Sequence, residues 1–496
     1  MSTLSRVSLS SDAPFSNAEE APAAASAPFF PAPLTVFEDY MFLDYSATHP
    51  TAIVCRLRFR GRLDVEHWRR ALELAVRRHP LFACRVEKIG RRRRWVPDDA
   101  PLAFVEARRE TVPGAENDRD GFFENVRPLR LDREPGLRTT VVWDDVSADV
   151  VFRCHHATAD GTGLQAFIAD ALVEYAALVG VAAPDVERRP LDFDALRRRG
   201  QFGLTLKSYC LNYLYTTAST LRFLFGRPRA FAPLADAPEI APFDADVDEI
   251  RRRPDLLATA LSVDATRRCF ATAKRLGVTV NDLALSAFVW SLDEIRRKRG
   301  ESLGGRTRIA TPINLRNKNH FASPACNVVT MTFVDFCRSA RRDPRRLLKA
   351  TRRKMNVVKK RDQKHFLDLV LKTGDFLARL VGGDLSLFLR SNQCRATATF
   401  SNIGRACLDV PLEHDANGRI RVGDLTLDAV ETTPPIRNRS PISVAALTYG
   451  ERLTIGFRFD PRYLTDAEAQ AFLDRFAAAC ADYFETTEQE TVALDD

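Results

Sequence analysis

The chain has 496 residues, of which 45% are apolar and 28% charged. That length fits two or three domains with sizeable cores, and the composition excludes a wholly disordered, collagenous or coiled-coil protein. A net charge of +8 admits an anionic ligand or partner. It does not indicate nucleic acid, because the basic clusters (Arg91 to Arg94, Arg197 to Arg199, Arg251 to Arg253, Arg341 through Arg361) are scattered rather than gathered in one stripe interleaved with stacking aromatics. Each cluster is read as a solvated face.

The ten cysteines form no CxxC pair, so neither a zinc ribbon nor a dithiol redox site is indicated. They read as small apolar core residues of a protein in a reducing compartment. Residues 1–32 run through Ser, Ala and Pro without the charged start and apolar core of a secretory signal, and are expected to be a disordered lead-in. No stretch reaches the roughly eighteen uncharged apolar residues of a membrane span. The nearest, SYCLNYLYTTASTL between Lys207 and Arg222, is short and interrupted by polar residues. It fits a buried or interfacial helix.

Folded sequence is expected from Pro33. Ala52 to Arg60 is strand-like, and Leu63-Asp64 opens a helix with apolar residues at Val65, Trp68, Leu72, Ala75 and Val76 before His79-Pro80 stops it. Two further strand-like runs, LRTTVVW and DVVFRCHH, lie between Gly136 and His156, and a helix follows with Leu164, Phe167, Ile168, Ala171, Leu172 and Tyr175 on one stripe. From about Pro184 to Pro254 the composition shifts to Pro, Arg and Asp, as in a crossover between two halves. The second half opens with a strand and two helices, the second capped by Asn281 or Thr279. Strand-like runs recur at Thr307 to Pro312, Asn327 to Phe336 and Arg395 to Ser401. Ile442 to Tyr449 and Leu453 to Phe459 make a hairpin, and Thr465 with Glu468 forms a capping box for a helix reaching about Tyr483. The simplest summary is an α/β (α+β) protein of two halves, an N-terminal lobe at 33–185 and a C-terminal lobe at 256–496, joined by an insert at 186–255.

The segment that carries chemistry is Val150 to Gly163, VVFRCHHATADGTG. If the strand persists to its end, His156 shares the face of Val150, Phe152 and Cys154, while His155 points the other way with Val151 and Arg153. The turn that follows carries an aspartate and two glycines, so it can bend sharply and present His156 at the edge of an apolar layer. An imidazole there is suited to act as a general base near pH 7. Taken alone, the motif is read first as a hydrogen-bonded histidine pair closing a strand. An i, i+4 His/Asp metal pair is a further reading, but a third ligand of matching spacing is missing nearby. There is no GxSxG elbow for covalent hydrolase chemistry.

HHATADG resembles the HHxxxDG signature of the CoA-dependent acyltransferase superfamily, which includes chloramphenicol acetyltransferase, peptide-synthetase condensation domains, wax ester synthase/diacylglycerol acyltransferases and alcohol acetyltransferases. Other segments are similar to the superfamily in the same order. They are LRFRGRLDVEHWRRALELAVRRHPLFACRVE with its RHP stop, LGVTVNDLALSAFVWSL, TPINLRNKN followed by Asn327, and TATFSNIGR. Cys326 stands where the superfamily usually has glycine, and SNIG replaces the DFGWG of the plant branch. The likeness runs from about residue 34 to 485 and reverses the order of the readings above.

The resemblance implies two chloramphenicol-acetyltransferase-like lobes, each a mixed sheet flanked by helices, with the active-site tunnel between them. It implies His156 as the base that takes a proton from an acceptor hydroxyl or amine as it attacks a thioester carbonyl, with His155 as supporting neighbour. Asp160 is then structural and paired with Arg316. Gly161 permits close backbone approach, and its N–H, with the Ser401 hydroxyl or the Asn402 amide, is a candidate oxyanion donor. Ser401 and Asn402 read equally as a turn ending a strand, and Asn314 and Asn281 read as structural. A coenzyme A or phosphopantetheine thioester is expected as co-substrate, with no permanently bound cofactor and no metal.

The chain carries no carrier attachment site and no adenylation domain, so a free-standing O-acyltransferase making esters is the first expectation. The TVND and SNIG likenesses point the same way. Amide formation on carrier-bound substrates and a non-catalytic acyl-binding or scaffold role are the alternatives. The expected partners are a small-molecule acyl donor and an alcohol, with an acyl carrier protein and a peripheral membrane contact as further candidates and no nucleic acid. Lipid or secondary metabolism and a cytoplasmic location, with membrane association as the alternative, complete the expectation; the 32 phenylalanines and the apolar insert favour a lipophilic substrate.

Overall fold

Strand Ala52–Arg60 is the spine of a seven-stranded sheet in the computed structural model of this chain. The structure describes residues 29–46, 49–111, 128–183, 185–202, 228–234, 257–318, 320, 322–360, 365–389, 394–406 and 410–484. The apolar run at 208–221, the cluster Arg251 to Arg253 and most of the expected lead-in lie outside these residues.

The order across the first sheet is Glu413–His414, Ile420–Val422, Leu425–Thr433, Ala52–Arg60, Ser147–His155, Leu137–Trp143 and Ala103–Arg108. Helices Val65–Arg78 and Gly161–Leu178 cover it, putting Trp68, Leu72, Phe167 and Ala171 in one core with Cys55, Leu57, Phe152 and Cys154. The period-two and 3.6-residue stripes meet here, and each large side chain fully buried contributes on the order of 2 kcal/mol of transfer free energy.

The second sheet has the order Val329–Phe336, Thr307–Asn314, Ala398–Arg405, Ile442–Tyr449, Arg452–Phe459 and Leu257–Ala260. Ala398–Arg405 runs parallel to both its neighbours, so the sheet is mixed. Helices Val263–Arg275, Val280–Lys298 and Asp466–Ala481 supply Cys269, Phe288, Trp290, Phe472 and Phe476 to its core. Thr279, not Asn281, caps the second of these helices, in a reciprocal box with Asp282, and the Thr465/Glu468 box is formed as the spacing predicts.

The two halves are not consecutive stretches of chain. Leu425–Thr433, expected within the C-terminal lobe, leaves it and pairs antiparallel with Ala52–Arg60 of the first sheet. On the way it crosses Arg452–Phe459 so closely that a Cβ on Gly456 would strike the Thr432 carbonyl. The absence of a side chain at Gly456 is what permits this crossing. The fold also begins before Pro33. Ala32 is buried and pairs with Trp95, and Phe29 lies under the guanidinium groups of Arg197 and Arg199. A third apolar cluster, drawn from both lobes, includes Tyr40, Met41, Trp95, Ala157, Ala310, Cys326 and Val328. The histidine turn sits beside it.

Candidate active site at the junction of the lobes

Strand Ser147–His155 ends one residue earlier than the alternation argument requires, so a turn, rather than the pleat, sets the direction of His156. His155 locks that turn. Its N–H donates to the Gly136 carbonyl, its Nδ1 accepts the N–H of Ala157 at 3.1 Å, and its ring stacks on Tyr45. Burial, with a smaller contribution from His156, pushes its pKa down to about 3. His155 is therefore a neutral structural ring.

His156 is 9% exposed. Its N–H donates to the Thr51 carbonyl at 2.8 Å, and its own carbonyl accepts the side-chain N–H of Asn327 at 2.5 Å. Burial lowers the pKa of the imidazole below its ordinary value. A hydrogen bond from the ring to its own carbonyl and the Asp160 charge work in the other direction, while Arg437 adds to the lowering. The ring nitrogen able to reach that carbonyl is Nδ1, which also lies 3.4 Å from the Asn327 Nδ2. Which ring nitrogen carries the proton depends on the tautomer: the His156 carbonyl would accept from a protonated Nδ1, whereas the Asn327 amide would donate to an unprotonated one.

Asp160 closes the turn as the N-cap of helix Gly161–Leu178. One carboxylate oxygen accepts the Gly163 N–H at 2.8 Å; the other accepts from Arg316 Nη1 at 2.8 Å and from the Val328 N–H at 2.7 Å. Burial alone would raise this carboxyl, but the Arg316 charge and these hydrogen bonds outweigh it and hold the pKa below the usual carboxylate value. Asp160 is thus a fully engaged anion.

Four consecutive residues of the second lobe grip this turn. Ala325 donates its N–H to His79 Nδ1 at 2.8 Å, the Cys326 carbonyl accepts from Arg316 Nη2, Asn327 holds the His156 carbonyl, and Val328 donates to Asp160. His79 in turn bonds Asp170 through Nε2 at 3.0 Å, so the RHP segment does more than stop a helix. Its ring bridges Asp170, on the helix beginning at Gly161, to the gripping segment. On the other side, Arg458 donates to the Ala52 carbonyl and His49 pairs with Asp460 at 2.9 Å, tying the chain on both sides of Thr51 to the second sheet. Sequence reasoning quoted His79 and Asn327 only as letters of motifs and passed over Thr51.

Helix Gly161–Leu178 approaches the backbone of the second lobe most closely at Gly163. A Cβ at 163 would come within 2.8 Å of the Cys326 carbonyl oxygen and 3.1 Å of its nitrogen, whereas at 161 it would make ordinary contact with Ile403 at 3.6 Å. Gly163→Ala is expected to cost about 1 to 3 kcal/mol, as overpacking against backbone does, and differential scanning calorimetry measures it. Gly161→Ala, with no such clash, should melt nearer to wild type. Cys326, in place of the usual glycine, is accommodated as a fully buried thiol whose pKa burial pushes up to about 11.

Ser401 and Asn402 lie on Ala398–Arg405, where the register shifts between Asn402 and Gly404. Asn402 is exposed and its side-chain oxygen accepts the Gly404 N–H at 3.0 Å, which is the strand-irregularity reading. Ser401 is half-buried. Asn314 accepts from the Arg316 N–H at 2.9 Å and so shapes the loop that presents the arginine. Among the described residues no group of three or more His, Cys, Asp or Glu is placed to hold a metal. Six of the eight described cysteines are buried, but Cys337 is exposed and Cys394 half-buried, so the all-core expectation does not hold. No described helix is long and apolar enough to cross a membrane.

No family model matches the chain. Two curated proteins of Mycobacterium tuberculosis, Uncharacterized protein MT2362 (strain CDC 1551 / Oshkosh) and Uncharacterized protein Rv2305 (strain ATCC 25618 / H37Rv), are each 25% identical to it over 283 residues. That match takes in 56% of this chain and 60% of each relative's length. Among solved structures, the first condensation domain of the CDA synthetase is similar with a TM-score of 0.62 at 14% identity, covering 92% of this chain and 95% of that one. The starter condensation domain of rhizomide synthetase, solved with C8-CoA, gives 0.61 at 15% identity, covering 90% and 93%. The trichothecene 15-O-acetyltransferase of Fusarium sporotrichioides gives 0.60 at 14% identity, covering 90% and 94%. Identity this low establishes the fold alone: the chain is built on the two-lobed α/β architecture shared by the condensation domains and acyltransferases of the CoA-dependent acyltransferase superfamily.

Proposed function

We propose that the protein is an acyltransferase that moves an acyl group from a thioester, of coenzyme A or of a phosphopantetheine arm, to an acceptor hydroxyl, with His156 as general base. The observation that carries this reading is the pairing of roles in the turn. The imidazole is nearly buried and burial holds its pKa below the ordinary value, while the carboxylate four residues on is consumed by Arg316 and two backbone N–H groups. A group so tied cannot take the proton. The imidazole can.

In the proposed step the imidazole removes the acceptor's proton as the acceptor oxygen attacks the thioester carbonyl. The tetrahedral oxyanion collapses with loss of thiolate, which recovers the proton from the imidazolium. The balance needs no cofactor and no acyl-enzyme. An oxyanion donor would contribute about 3 to 4 kcal/mol. The N–H groups at the start of the helix beginning at Gly161 are the candidates, together with Ser401; the exposed, locally bonded Asn402 is less suited. The condensation-domain neighbours support the second reading, an amine acceptor giving an amide.

The test is release of free thiol from a panel of acyl-CoAs with alcohols and with amines, followed by product mass. Esters from alcohols support the first reading, amides alone support the second, and no release from any pair opposes both. Asn327→Ala provides a finer check. Without the amide the His156 carbonyl loses a donor and the ring can rotate, so kcat is expected to fall about tenfold to a hundredfold, in line with other supporting partners of active rings. KM for the thioester should stay near wild type, and the acid limb of the kcat profile should move. An unchanged profile would show that Asn327 serves the fold only.

A further inference from the structure

The second lobe carries a basic helix face that holds none of the residues placed at the His156 turn. Helix Pro344–Lys360 buries Leu347, Leu348, Thr351, Met355 and Val358 against the lobe and turns the opposite stripe outward. The exposed positions of this stretch repeat at three- and four-residue steps and include Arg342, Arg346, Lys349, Arg352, Arg353 and Lys359. Among the described residues none of these six is paired with a carboxylate, although elsewhere in the molecule the arginines are extensively paired. Asp343, the nearest acid in sequence, spends an oxygen on the N–H of Arg346 as a helix cap. Among the described residues the charge is therefore uncompensated along one face.

The next helix, Phe366–Leu380, packs beside the same edge strand, Val329–Phe336, and behaves in the opposite way. Its first half is buried through Leu367, Leu369 and Leu371. Its end and the turn beyond leave Phe376 61%, Leu380 68%, Val381 76% and Leu387 61% exposed, with Leu377 beside them. Half of the large apolar side chains that stand exposed among the described residues are gathered in these twelve positions. Single exposed apolar groups are ordinary, but a cluster of this kind marks a surface that something else covers.

We propose that the exposed faces of residues 342–359 and 376–387 form a docking surface for an anionic lipid bilayer, the basic stripe attracting acidic headgroups and the Phe376 to Leu387 cluster entering the interface. A basic helix face beside protruding Phe, Leu and Val side chains is the chemistry of interfacial binding, the charge drawing the protein to the surface and the apolar groups holding it there. A nucleic acid would use the cations but has no place for the aliphatic cluster, and the stripe holds no aromatic residue on which bases could stack. This surface is independent of the acyl-transfer reading, and its test is separate.

The full chain is floated with vesicles of phosphatidylcholine alone and of phosphatidylcholine with phosphatidylglycerol, at low and raised salt. The wild type should float with the anionic vesicles only and lose most binding as salt rises. Arg346→Glu/Lys349→Glu/Arg353→Glu, all on the exposed face, should lower partition by on the order of a hundredfold with an unchanged melting temperature. Phe376→Ser/Leu380→Ser should keep the salt-sensitive recruitment at low salt and lose the remainder at raised salt. Absence of wild-type binding to anionic vesicles would overturn the proposal. So would binding that neither set of substitutions alters. So would retention of the wild type on a nucleic-acid or acidic-protein matrix, lost in the triple variant, without any flotation.

Discussion

Replacing His156 with alanine is expected to lower acceptor-dependent thiol release by about 10²- to 10⁴-fold, the range that a general base supplies. The melting temperature should stay close to wild type, because what fixes this residue in the fold is its backbone: the N–H on Thr51 and the carbonyl under Asn327. Loss of rate without loss of stability is therefore the signature that separates a base from a packed ring. His155→Ala should differ in its stability. Its ring bonds the Ala157 N–H and stacks on Tyr45, so the variant loses stability as well as rate. A His156→Ala protein that releases thiol at the wild-type rate would remove the imidazole from the chemistry.

Arg316→Ala should destabilise the protein by about 3 to 5 kcal/mol, the cost of leaving one partner of a buried pair uncompensated. Asp160 and Arg316 are 4% and 13% exposed at their side chains, so solvent screens the pair little. The consequence extends to acid stability, and its sign can be stated. The pKa of Asp160 in the folded protein lies below the ordinary 3.8, so its contribution is fully present above that value and is lost as pH falls through the depressed one. Without Arg316 burial dominates and the carboxyl rises, so the melting temperature of the variant should begin to decline at a higher pH than that of the wild type. Thermal melts across the acid range measure both effects. A variant with wild-type melting and an unmoved acid limb would mean that the pair contributes nothing to holding the turn.

Elements whose partners are set by local pattern were legible in the sequence. Ala52–Arg60, the helix from Val65 and the hairpin at 442–459 follow from side-chain periodicity and caps, and the structure reproduces them to within a residue or so. The motif likeness located His156, Asp160 and Arg316 and anticipated the ion pair. What escaped was non-local. Nothing in Leu425–Thr433 says that its partner is Ala52–Arg60, because strand pairing across such a separation leaves no trace in the pattern of one strand. Alternation also misplaced the last step. The pleat ends at His155, so the orientation of His156 depends on a turn whose restraints come from Thr51 and Asn327. Asn327 looks, in the sequence, like a neighbour of a missing glycine; in the fold its amide holds the His156 carbonyl. His79 looked like a helix stop because Pro80 follows it, and only the folded chain brings its ring to Ala325 and Asp170.

The central claim is that a neutral His156 passes the acceptor's proton within one ternary complex. It is tested most directly by following thiol release and product ester from one acyl-CoA, with and without alcohol, across pH. The account predicts no release without the alcohol and no acyl adduct on the protein. It also predicts a rate that is constant above the ordinary imidazole value near 6.5 and falls only at a lower pH, as burial of the ring requires. Release that proceeds without acceptor and leaves the chain heavier by one acyl group would contradict it, as would a rate indifferent to protonation of the imidazole.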